Sequence, residues 1–210
     1  MLSMSHTPLH SAGRCPGLRH PGLALLCIAA TLGSAGCQPR TTRVRIRDFS
    51  RADGPRSLFQ EFDDAYYLLD AAGNLDLLLR RRSPSEAIPT EHITQTILVR
   101  SYWRPIPGTT AIESSMINAR ITYVIQSGRA TCIYEGNGFV SFSEQRKGRS
   151  LSGRIESGHL RPTGEIGNPP HPFGRAQVEG TFHAVNDARR ATHLLTQVRR
   201  ILQEAHPLKG

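Results

Sequence analysis

Lysine is nearly missing from this chain: of its 26 basic residues, 24 are arginine. Its positive charge therefore sits on planar guanidinium forks rather than on flexible ammonium groups. No apolar stretch approaches the roughly twenty residues a helix needs to cross a hydrocarbon core, which excludes a polytopic helical membrane protein. Its four cysteines, Cys15, Cys27, Cys37 and Cys132, lack the paired spacing of a zinc site or a disulfide framework. There is no Gly-x-Ser-x-Gly elbow, phosphate loop, His-Glu-x-x-His or dinucleotide fingerprint. No cofactor, no metal and no catalytic residue is implied. What is present is 210 residues at a formal charge of +9 with 38% hydrophobic content, enough for one domain with a core of its own.

The first 36 residues carry Arg14 and Arg19 and no acid, then an apolar run from Leu23 to Leu32, then Gly33, Ser34, Ala35, Gly36 and Cys37. A basic start, a short apolar run and small residues are the layout of a secretory signal. The stretch Ser34-Ala35-Gly36-Cys37 resembles the lipobox of bacterial lipoproteins, although Ser34 stands where leucine is commonest and the nearest leucine is Leu32. That resemblance implies cleavage before Cys37, acylation of its thiol and a membrane partner held through the N-terminal lipid. Gln38 after the cysteine implies sorting to the outer membrane in a two-membrane cell. Ordinary signal cleavage after Ala35 is the alternative. With residues 1–36 set aside, 24 basic and 17 acidic residues leave +7, and Cys132 is the one remaining thiol.

Residues 37–56 are arginine-rich, and Val44 and Ile46 alternate with Arg43, Arg45 and Arg47. They read either as a lipid-proximal basic tether or as a first edge strand. Residues 57–210 read as a single β-rich domain. Within it, 65–70 and 75–80 flank Gly73-Asn74 as a hairpin, with a loop over 80–89. Alternation marks strands over 93–103, 117–126, 130–135, 139–144, 150–157 and 177–185. Gly136-Asn137-Gly138 reads as a turn, and the proline-rich stretch 161–175 as a long loop. Strands joined by tight turns make an antiparallel meander, as a sandwich or a barrel. One amphipathic helix closes the chain over 187–205, with Ala191, Leu194, Leu195, Val198, Ile201 and Leu202 at helical spacing.

Chemistry is sparse. Asp63 and Asp64 are strand neighbours and point to opposite faces. Glu179 and His183 lie about 13 Å apart on a strand, too far for a shared metal. Cys132 reads as a small buried hydrophobe. What accumulates on the outward positions is arginine: Arg100 and Arg104 alternate out with Tyr102, and Arg120 and Arg154 do so on later strands. These five form a candidate binding surface for anionic lipid or envelope polymer, since guanidinium forks match phosphate and carboxylate. An arginine-favouring genome explains the same residues as a solvated face. Export excludes nucleic acid as a partner. The expected function is therefore an exported, lipid-anchored envelope protein with a structural or binding role. A lipocalin-like carrier of an apolar ligand and a hydrolase of envelope polymers remain compatible; the first needs an apolar cavity and the second a cleft where carboxylate and histidine converge.

Overall fold

The computed structural model describes residues 41–85, 91–102, 117–146 and 149–208; the leader, Cys37, Trp103, Arg104 and residues 147–148, between the expected strands over 139–144 and 150–157, lie outside them. Its strands are β1 (Thr42–Asp48), β2 (Arg56–Phe62), β3 (Asp64–Leu69), β4 (Leu75–Pro84), β5 (His92–Ser101), β6 (Ala119–Ser127), β7 (Ala130–Arg146), β8 (Ser150–Ile166), β9 (Ala176–Val185) and β10 (His206–Pro207). The helix α1 (Ala188–Glu204) lies between β9 and β10. From β3 to β9 each strand is antiparallel to the next, the meander that the short connections dictate. The ring closes where β9 meets β3 in parallel at Tyr66 and Val185. The expected sandwich-or-barrel is thus a closed seven-stranded barrel, mainly β, with one C-terminal helix.

Period-two alternation explains the two cores. One set of positions points inward: Leu75, Leu77 and Leu79 on β4, Ile97 and Val99 on β5, Ile121 and Tyr123 on β6, Tyr134 on β7 and Phe182 on β9. These side chains fill the lumen, and Tyr67, Tyr123 and Tyr134 are almost wholly buried in it. The opposite set on the same strands is mostly polar, except where Tyr66, Leu78, Leu98, Val124 and Ile133 make an apolar strip. The helix covers that strip with Ala191, Leu194, Leu195, Val198 and Ile201. Asp187 is its N-cap, accepting from the Arg190 amide at 3.0 Å. Burying each of these aliphatic side chains contributes about 1.5–3 kcal/mol, so the helix is part of the domain and not a free amphipathic segment.

Four expectations are corrected. Gly136-Asn137-Gly138 is no turn: β7 runs unbroken through it, paired with β6 on one side and β8 on the other. Its glycines serve close approach instead, since a Cβ on Gly136 would lie 1.6 Å from the His159 carbonyl oxygen. The loop over 161–175 begins only at Gly167, because β8 continues to Ile166. Pro162 is tolerated there since it lies at a register shift, between the last pair with β9 at Leu160 and the first with β10 at Gly164. The loop over 80–89 is likewise strand as far as Pro84, where β4 keeps its register with β5 down to His92. Residues 42–48 are not an edge strand: β1 lies between β9 and β2, and β2 is the edge.

Candidate functional site

Register places the outward arginines. Reading across the outer face, Asp76, Arg100, Arg120, Asn137, His159, Gln177 and Arg47 stand opposite one another from β4 to β1. Arg100 and Arg120 are thus direct neighbours, as a basic β-face requires. Both are neutralised: Arg100 holds Asp76 through Nε and Nη2 at 2.7 and 2.8 Å, and Arg120 reaches Glu135 at 2.8 Å. Binding to Asp76 raises Arg100 above its ordinary pKa and keeps it charged. Tyr102 stands half exposed beside them. Arg154 is not in this row; it lies on another part of β8, opposite Ser141 and Thr181, and faces Glu156 at 3.2 Å.

One step along the strands a second row carries Thr122, Glu135 and Arg161. It continues one residue past the Leu160 and Ala176 pair, which sets Arg175 beside Arg161, and the Phe49 amide donates to the Arg175 carbonyl at 2.9 Å. The two rows together hold five arginines, Arg47, Arg100, Arg120, Arg161 and Arg175, against two carboxylates, Asp76 and Glu135. Between them the surface sinks into an open groove of about 1130 Å³. A barrel exterior is ordinarily convex. Here the regular pleat is interrupted beside the groove, where β8 carries an extra residue between Ile155 and Ser157 against β7 and between Ile155 and Gly158 against β9. Gly138 and Gly158 let the strands close over the core there, since a Cβ on either would press on Ile121 Cδ1 at 2.9 and 2.4 Å.

The barrel end beyond this groove is plugged by the 167–175 loop. Phe173 enters the lumen between Tyr123 and Tyr134, with ring centroids at 6.3 and 5.7 Å. Tyr134 Oη donates to the Phe173 carbonyl at 3.2 Å. Beside the plug, the Glu165 carboxylate meets His171 Nε2 at 3.1 Å, across the sheet from Cys132. This is the one convergence of carboxylate and histidine that resembles a hydrolytic site among the described residues, yet no nucleophile there is activated. Burial, with the Glu165 charge, pushes the Cys132 thiol up to about 11. The nearby Ser50 hydroxyl donates to Asp48 at 2.7 Å rather than to the imidazole. Asp63 and Asp64 do diverge: Asp63 accepts from the Arg82 amide, while Asp64 holds Arg80 through Nε and Nη2 at 2.8 and 2.5 Å. Glu179 pairs with Arg45, and His183 Nδ1 lies 2.8 Å from Ser152 Oγ.

No family model, curated protein or solved structure matches this chain. The geometry therefore carries the functional reading. Sequence reasoning singled out Arg100, Tyr102 and Arg120 and missed Arg161 and Arg175, because the prolines around them suggested a loop. Their signal was the spacing of the basic residues on an alternating phase with His159, visible once Pro162 is accepted inside a strand.

Two buried-edge carboxyls set the acid limit of this scaffold. Burial pushes Asp48 up, but the Ser50 hydroxyl and amide and the Gly174 amide outweigh it and hold its carboxyl below the ordinary range. Asp64 is held low in the same way, burial being outweighed by Arg80 and the Tyr66 hydroxyl. A depressed folded pKa stabilises the fold above the unfolded value of about 3.9 and loses that contribution as pH falls through the folded one. Stability measured by denaturant is expected to drop below about pH 4, and less steeply in Asp48→Asn and Asp64→Asn. An unchanged acid limb in both variants would remove these groups from its cause.

Proposed function

We propose that this is an exported, lipid-anchored envelope protein whose outward basic face binds anionic envelope components. The observation that carries it is the excess of arginine over carboxylate on the two outward rows from β4 to β1, of which Arg120, Arg161 and Arg175 line the groove. Guanidinium groups on a fixed sheet can engage phosphate or carboxylate bidentately, with little side-chain ordering left to do. The lipobox-like residues before Cys37 support the anchor. Four residues separate Cys37 from Thr42, where β1 begins, so an acylated Cys37 would hold the barrel within about 17 Å of a bilayer at full extension of ~3.4 Å per residue. Arginines that such a tether brings within a Debye length of about 8 Å of anionic headgroups gain about 1 kcal/mol each.

A carrier that encloses its ligand is the weaker reading. The closed barrel has a compatible shape, but its lumen is occupied by Tyr67, Tyr123, Tyr134, Phe142, Phe173 and Phe182.

Two measurements test the proposal. Cys37→Ala is expected to move the protein from the membrane fraction to the soluble one, and mass spectrometry should find the mature N-terminus as an acylated Cys37. An unmodified N-terminus would sink the anchor. For the face, retention on phosphatidylglycerol vesicles should fall at least tenfold in the Arg47→Ser, Arg100→Ser, Arg120→Ser triple variant at low salt, and unchanged retention would sink the basic surface.

A further inference from the structure

Opposed like charges on a sheet destabilise it unless a counter-charge lies between them. Arg100 and Arg120 satisfy that rule, each holding its own carboxylate. Arg161 and Arg175 do not. Arg161 on β8 and Arg175, the residue before β9, stand one position past the Leu160 and Ala176 pair and line the same groove; both are exposed and have no carboxylate within ion-pair distance among the described residues, because Glu135, opposite Arg161, is engaged by Arg120. The same groove gathers apolar surface. Of the six exposed large hydrophobic residues on the described surface, three line it: Ile117 at 60% exposure, Tyr102 at 50% and Phe49 at 49%. Phe139 also faces outward on β7, in neither core cluster, yet is only 9% exposed, so it forms the groove's floor. Exposed apolar groups concentrated beside uncompensated cations mark a ligand with one charged and one apolar end.

Resting on the envelope-binding reading above, we propose that this groove binds a phosphate-headed amphiphile, with the phosphate between Arg161 and Arg175, within reach of His159, and the acyl portion over Phe139 toward Tyr102 and Ile117. Glu135, level with Arg161, and Phe139 are four residues apart on β7, about 13 Å of strand, which separates head and tail subsites by the length of a lipid's glycerol and first chain segment. Phosphate is favoured over carboxylate because two guanidinium forks and an imidazole offer more donors than a carboxylate can accept from.

The test is calorimetric titration of the purified full chain with three probes: dioctanoylphosphatidic acid, inorganic phosphate and dioctanoylglycerol. The phosphatidic acid is expected to bind at least tenfold tighter than either of the others. Arg161→Ser with Arg175→Ser should weaken it more than tenfold, and Tyr102→Ser with Ile117→Ser should weaken the lipid while leaving inorganic phosphate unaffected. All four side chains are exposed, so circular dichroism and thermal melting should match the parent. Equal binding of inorganic phosphate would overturn the tail subsite, equal binding of dioctanoylglycerol would overturn the head subsite, and an unaffected arginine double variant would overturn the site. If vesicle retention depends on Arg47, Arg100 and Arg120 but not on Arg161 and Arg175, the groove fails and the envelope reading stands; if the protein is retained on no anionic vesicle, both fail.

Discussion

Gly136→Ala is expected to destabilise the domain by about 3 kcal/mol or more, beyond the ordinary range for adding one methyl to a packed interior. The new Cβ would lie 1.6 Å from the carbonyl oxygen of His159 and 2.7 Å from its carbonyl carbon. Both are backbone atoms of a paired strand, so no side-chain rotation relieves the overlap. β7 and β8 must part locally. Urea unfolding of Gly136→Ala beside Gly54→Ala gives the contrast. Gly54 has open space around its Cβ and a φ of +106°, so its cost is confined to backbone strain of about 1–2 kcal/mol. A loss under 1 kcal/mol in Gly136→Ala would mean that the strands do not approach as described.

Phe173→Ala is expected to cost about 3–5 kcal/mol, the range for deleting a buried phenyl ring. The ring stacks on Tyr123, packs tilted against Tyr134 and stops the barrel end, while its backbone exchanges hydrogen bonds with the Tyr134 hydroxyl. The loop can relax outward, which favours the lower part of the range. A second readout separates plugging from packing. The Cys132 thiol, which contacts the Pro170 carbonyl under the same loop, should react slowly with an alkylating reagent at pH 8 in the parent and many times faster in Phe173→Ala, as measured on the Cys132 peptide. Equal rates would show that Phe173 does not guard the lumen.

The parts of this fold that were legible before the structure are those governed by neighbours in sequence. Alternation over 93–103 and 117–126 identifies β5 and β6, and the spacing from Ala191 to Leu202 identifies the helix, because both periods arise from local backbone geometry. Glycine and proline misled where their local meaning was overridden. Gly136 and Gly138 have turn chemistry, but their lack of a side chain is used for close approach of β7 and β8. Pro162 breaks a ladder only where an amide partner is wanted, and at the register shift none is. The groove was illegible for a further reason: Arg161 and Arg175 are fourteen positions apart and meet only through the pairing of β8 with β9. The arginine excess itself was visible from composition; which guanidinium groups lack a counter-charge depends on tertiary register alone.

The way β1 is held has a bearing on how the chain reaches its final form. The meander from β3 to β8 can assemble from contacts between consecutive strands, which close short loops and form quickly. β1, by contrast, pairs on one side with β9, Arg43 opposite Thr181, and the ring itself closes through Val185. A chain emerging from its N-terminus therefore carries an arginine-rich first strand with no barrel to join until Val185 has appeared. The pair that closes the ring thus joins β3 to β9, strands far apart in sequence, and cannot form before Val185 is available.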